Sequence, residues 1–198
     1  MPNVIYDWNG TTSTANKKVY DWNGTASTQL KKAYDYNGTT NTLVYSSEET
    51  VTKNFSKLSA TSGYSSYDAS GSASVWSNGY GDTSVFTRLS VNCSGYSTLT
   101  INGASGTASD YCRIGICVTT DDFSASKDNV GYIQSNKTYS TRLFQVCCSG
   151  MGDASTSFSG NYTINVSGKS TVYITIAGWT YSANGSGSVN ISNNIVLS

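Results

Sequence analysis

Histidine is absent from this 198-residue chain, proline occurs once, and only 12% of residues carry charge. Without histidine, Ser-His-Asp and Cys-His catalysis and every histidine-containing metal site are excluded. Twelve basic residues balance twelve acidic ones. Apart from Lys17-Lys18 and Lys31-Lys32 the basic residues are scattered. Nucleic-acid and membrane-surface binding need concentrated positive charge, so neither is expected. No apolar run reaches the ~20 residues of a membrane-spanning helix, and no long stretch places apolar residues at helical spacing. The opening Met1-Pro2-Asn3-Val4-Ile5-Tyr6-Asp7 has none of the basic, apolar and cleavage regions of a secretory signal.

Metal and redox chemistry are equally thin. The five cysteines (Cys93, Cys112, Cys117, Cys147 and Cys148) cannot all pair, and they lack the two CxxC knuckles of a zinc site. They read as reduced, buried, small apolar residues on strands, with Cys147 and Cys148 pointing to opposite faces. A glycosidase needs paired carboxylates across a cleft. The candidates Asp82, Asp110, Asp121, Asp122, Asp128 and Asp153 all fall in expected loops, where aspartate forms turns. Asp121, Asp122 and Asp128 do not have the spacing of an EF-hand calcium loop. The chain is therefore read as a non-enzyme with no cofactor and no metal.

What is present is Ser, Thr, Gly and Asn, with 15 tyrosines, 4 tryptophans and 37% hydrophobic residues. β-Branched and aromatic side chains suit a pleated surface, and Gly and Asn supply its turns. An all-β fold is expected.

Three copies of a 14-residue unit open the chain: VIYDWNGTTSTANK from Val4, KVYDWNGTASTQLK from Lys18 and KAYDYNGTTNTLVY from Lys32. Asn-Gly favours a two-residue hairpin turn because both central residues need positive φ. Each unit is read as a β-hairpin, so residues 1–45 form three hairpin repeats. Tyr6, Trp8, Tyr20, Trp22, Tyr34 and Tyr36 share one strand face and form a candidate assembly face, since one hairpin alone is marginal in water. The Asn-Gly-Thr triplets also match the N-glycosylation pattern and are read here as turn chemistry.

Residues 46–84 are a Ser/Gly/Tyr-rich linker and the first part of a sandwich, with a weak capping box at Ser46-x-x-Glu49. Residues 85–198 carry eight candidate strands: Val85–Asn92, Thr98–Asn102, Tyr111–Thr119, Val130–Ser135, Thr141–Cys148, Asn161–Val166, Thr171–Trp179 and Ser188–Leu197. Strands at this density between Gly/Ser/Asn turns fit a jelly-roll-like β-sandwich, with closed-barrel and immunoglobulin-like arrangements left open by the residues. Four aromatics near its turns, Trp76, Tyr80, Trp179 and Tyr181, are candidate sugar contacts, because pyranose C–H faces pack on aromatic planes. The alternative is that both tryptophans plug the ends of the sandwich.

The tandem Tyr-Asp-Trp-Asn-Gly-Thr units resemble the short N-terminal repeats of structural and tail-associated proteins encoded by phages and prophages. The ending, Gly160-Asn-Tyr-Thr-Ile-Asn-Val166 with Thr171-Val-Tyr-Ile-Thr-Ile176 and Ser188-Val-Asn-Ile-Ser-Asn-Asn-Ile-Val-Leu197, is similar to carbohydrate-binding-module-like domains on such proteins. The resemblance implies a virion appendage (tail fibre, baseplate or head fibre) assembled in the host cytoplasm. It would be joined to other virion proteins through its repeats and be homo-oligomeric, a trimer by analogy with fibres. A receptor-binding adhesin that recognises a host surface glycan is the alternative the same resemblance implies.

Overall fold

The computed structural model describes residues 6–8, 13–15, 19–22, 27–30, 32–36, 39, 41–46, 48–77, 79, 82–134, 137–150, 156–180 and 184–198, without the side chains of 6–36, 41–46 and 127–128. The chain divides into two compact units, residues 1–49 with Ser198, and Thr50–Leu197.

In the first unit three antiparallel strand pairs each form a separate two-stranded sheet. They are β1 (Tyr6–Trp8) with β2 (Ser13–Ala15), β3 (Val19–Trp22) with β4 (Ser27–Leu30), and β5 (Lys32–Tyr36) with β6 (Asn41–Ser46). Their registers repeat with the sequence. Tyr6, Tyr20 and Tyr34 are paired with Ala15, Gln29 and Leu43, and Trp8, Trp22 and Tyr36 with Ser13, Ser27 and Asn41. Four residues separate each closing pair, where the Asn-Gly signature predicts two. Four-residue connections are also common in hairpins.

The second unit is a sandwich of two antiparallel sheets. Its strands are β7 (Glu49–Val51), β8 (Ser56–Ala60), β9 (Ser65–Asp68), β10 (Ser72–Trp76), β11 (Thr83–Asn92) and β12 (Thr98–Ser109), followed by β13 (Cys112–Thr119), β14 (Arg142–Ser149), β15 (Ser157–Asn165), β16 (Thr171–Thr180), β17 (Ser186–Ile191) and β18 (Ile195–Leu197). One sheet has the order β7-β18-β12-β17-β10-β9, with β15 on the free side of β12; the other runs β14-β13-β16-β11-β8. Strand β12 serves two neighbours on one side. Leu99–Ile101 pairs with β18, and Ala104–Ser109 pairs with β17. The switch occurs at Gly103, whose φ of 64° lies in the left-handed region and where a Cβ would stand 2.4 Å from Ser192 Oγ.

Alternation fills the space between the sheets. Leu99, Ile101, Val189, Ile191, Ile195 and Leu197 from one sheet meet Val85, Leu89, Ile114, Ile116, Ile174 and Ile176 from the other, all buried. The five-stranded sheet is covered on its outer face as well. The β13–β14 connection, including a 3-10 helix at Lys127–Ile133, lays Phe123, Val130 and Ile133 over Phe86, Cys117 and Ala177. This corrects the strand expected at Val130–Ser135. Val130 and Ile133 are three residues apart, which puts both on one side of a three-residue turn. Arg88, 5% exposed, pins this cover. Its Nε donates to Thr175 Oγ1 at 3.0 Å, its Nη2 to the Phe123 carbonyl at 2.7 Å, and its Nη1 pairs with Asp122. The guanidinium lies 4.6 Å from the Phe123 ring centroid, and Phe123, Tyr132 and Tyr139 stack in sequence at 4.0 and 3.9 Å. Arg142 ties off the far end by donating to the Tyr132 and Gln134 carbonyls at 2.9 and 2.8 Å.

The passage from Glu49 onward supplies β7, β8, β9 and β10. The single strand expected at Ser188–Leu197 is two, because Ser192 N–H and Asn102 N–H bond Gly103 and Asn194 carbonyls around a turn. All five cysteines are free: four are buried and Cys147 is half-buried. Cys148 belongs to the core between the sheets while Cys147 packs against the outer cluster, on opposite faces of β14. Burial pushes the Cys112, Cys117 and Cys148 thiols up to about 12 and Cys147 to about 11. At ordinary pH they are protonated and inert.

Two substitutions test this packing. A Cβ on Gly187 would lie 2.7 Å from Cys112 Sγ and 2.8 Å from Ile114 Cγ2. Gly187→Ala is expected to cost ~1–3 kcal/mol in denaturant unfolding, as overpacked cores do. Arg88→Ala is expected to cost ~2–3 kcal/mol, the scale of lost charged hydrogen bonds. It should also make Cys117 react with a thiol reagent that the unaltered protein resists. Equal reactivity in both proteins would mean that Arg88 does not hold the cover.

Candidate functional site

With the five-stranded sheet covered, the broad open face is the outer side of the larger sheet. Residues alternating with its core positions are nearly all small and hydroxylated: Ser72 and Ser74 beside Ala73 and Val75, Ser105 and Thr107 beside Ala104 and Ala108, Ser188 and Asn190 beside Val189 and Ile191. Register aligns them into rows across β15, β12, β17, β10 and β9. One row runs Ser159, Ser105, Asn190, Ser72, Asp68, and the next Ser157, Thr107, Ser188, Ser74, Ser66. A third, shorter row runs Ser109, Ser186, Trp76. At ~4.8 Å per strand the longer rows span roughly 19 Å.

Hydroxyls in these rows bond to each other across strands. Thr107 Oγ1 and Ser188 Oγ are 3.2 Å apart, Ser109 Oγ and Ser186 Oγ 3.0 Å, and Ser66 Oγ and Ser74 Oγ 2.6 Å. Each hydroxyl has one donor and two acceptor sites, so these pairs keep acceptors for a ligand, while Ser109 Oγ also donates to the Ser186 carbonyl. The face is indented by a groove of about 750 Å³ lined by residues of Asp68–Ser72, Ser105–Thr107, Ser157–Ser159 and Ser188–Asn190. A second groove of about 330 Å³ shares Thr107 and Ser188 with it and continues to Trp76. Asp68 Oδ1 accepts hydrogen bonds from Ser70 N–H at 2.8 Å and Ser70 Oγ at 2.5 Å. The Ser70 hydroxyl bond, ahead of all other causes, holds its carboxyl below the usual range.

The chain matches no protein family and no curated protein. Among solved structures it is similar to the carbohydrate-binding module TmCBM61 in complex with β-1,4-galactotriose, at 11% identity and a TM-score of 0.35, over 73% of this chain and 83% of that one.

Of the expected sugar contacts, Trp76 and Trp179 are not brought together. Trp76 ends β10 on the hydroxyl face, 38% exposed. Trp179 lies on the opposite side of the sandwich, half-buried against the cover of the five-stranded sheet. The two tryptophans therefore cannot share one ligand. Tyr80 and Tyr181 lie outside the described residues. Tyr6, Trp8, Tyr20, Trp22, Tyr34 and Tyr36 occupy equivalent strand positions in the three hairpins, and their side chains lie outside the description. The hydroxyl rows were missed as a site, although their signal is plain. Ser72-x-Ser74, Ser105-x-Thr107-x-Ser109 and Ser186-x-Ser188-x-Asn190 keep strict period two. Among the described residues no group of three or more Cys, Asp or Glu stands where a metal ion could be held.

Proposed function

We propose that the sandwich is a non-catalytic carbohydrate-binding module that lays a linear glycan along the hydroxyl face of its larger sheet. The supporting observation is Trp76, an exposed indole at the end of a surface made mostly of small hydroxyl and amide side chains. An aromatic plane takes the C–H face of a pyranose ring and the rows exchange hydrogen bonds with its hydroxyls. Trp76→Ala is expected to weaken oligosaccharide binding about thirty-fold, the ~2 kcal/mol of an aromatic anchor, at an unchanged melting temperature. Trp179→Ala is expected to lower the melting temperature, since that ring packs against a buried cluster. Unaltered binding in Trp76→Ala would refute the reading.

The hairpin repeats support a second element, a virion appendage displaying this module. Three separate two-stranded sheets in one shared register each need a further surface to be stable. Contact with sister subunits and virion proteins supplies it. The whole chain is expected to sediment as an oligomer, a trimer by analogy with fibres, and a chain starting at Thr50 as a monomer. Two monomers, or two oligomers of equal size, would remove the assembly role.

A further inference from the structure

The groove carries a bias of charge that a glycan would feel. Among the described residues, its lining contains one carboxylate, Asp68, and no lysine or arginine. The cation nearest in effect, Lys53, does not line it and is committed through Nζ to the Ile191 carbonyl at 2.6 Å. At the Trp76 end the strand closing the third row, β12, runs from Ser109 into a second exposed carboxylate, Asp110. Hydroxyl and amide groups satisfy a neutral sugar in either direction of hydrogen bonding. A sugar carboxylate or sulfate accepts only, and recognition of such anions generally uses arginine or lysine. None is present here to receive it, and Asp68 opposes it.

We propose that the groove selects neutral glycans and turns away acidic ones, with Asp68 as the selecting group. This rests on the glycan-binding reading above. Asp68 remains ionised through the physiological range because its Ser70 bonds stabilise the charged form. Repulsion between exposed charges ~6 Å apart in water corresponds to roughly three-fold in affinity per carboxylate. A ligand with two carboxylates at that distance in the groove therefore loses about ten-fold, and the penalty fades as salt shortens the Debye length.

The test pairs β-1,4-linked glucan and galactan tetrasaccharides with their C6-oxidised, carboxylate-bearing counterparts. Binding is measured by calorimetry on the full chain at low salt and at 0.5 M salt, the latter on the order of a 4 Å screening length. The neutral member of a pair is expected to bind about ten-fold tighter at low salt, with an affinity that salt leaves unchanged. Asp68→Asn keeps the acceptor for Ser70 and is expected to bring the two members within about two-fold. Equal or tighter binding of the oxidised member to the unaltered protein would overturn the selection while leaving the glycan reading intact. Discrimination that survives Asp68→Asn would overturn the role of Asp68. Binding of neither member, across both glycans, would overturn the proposal and the reading beneath it together.

Discussion

Strands β11, β13 and β16 carry apolar side chains on both faces, and a two-layer sandwich shields only one. Ile114, Ile116, Ile174 and Ile176 meet the other sheet, but Phe86, Cys117 and Ala177 point away from it. Leaving that second face in water would expose a broad apolar patch, which soluble surfaces rarely tolerate. The β13–β14 connection solves this by folding back over the sheet, and Arg88 anchors it by donating to a loop carbonyl, pairing with Asp122 and lying on the Phe123 ring. A buried guanidinium is stable only when its donors are used, so Arg88 and the loop fix each other.

That solution makes the molecule two-sided. One sheet is closed by its own chain, and the other keeps a face of serine, threonine and asparagine. Small hydroxyl side chains keep such a face wet with little charge, Asp68 being the carboxylate in its rows. Cross-strand bonds such as Thr107–Ser188 and Ser109–Ser186 hold their rotamers before any ligand arrives, which lowers the ordering cost of binding.

A hydroxyl surface nonetheless gives modest affinity, since each hydrogen bond to a sugar replaces one to water and nets ~1 kcal/mol. The exposed indole of Trp76 adds a contact that water does not rival. Weak single sites become useful when repeated, because linked sites raise the effective concentration of the second binding event.

Several features were legible in the residues before any fold was built. The 14-residue period and its Asn-Gly signature mark three hairpins, because a local turn and two short strands involve only neighbours in sequence. Alternation in Val172-Tyr-Ile174-Thr-Ile176 marks a strand with a buried face, and the absence of histidine and of cysteine motifs narrows the chemistry. Other features belong to no local segment. Trp76 and Trp179 read alike in sequence, yet lie on opposite sides of the sandwich, because strand order assigns each strand to its sheet. The Ser/Gly passage around Ser72 reads only as a linker and the first part of a sandwich, and its place as a strand between β17 and β9 comes from tertiary pairing. The rows of hydroxyls need β15, β12, β17, β10 and β9 as neighbours, and those strands are drawn together from distant parts of the chain. Sequence determined which side chains alternate along each strand. Only burial of the shared core fixed the registers between strands, and with them which alternating sets became one surface.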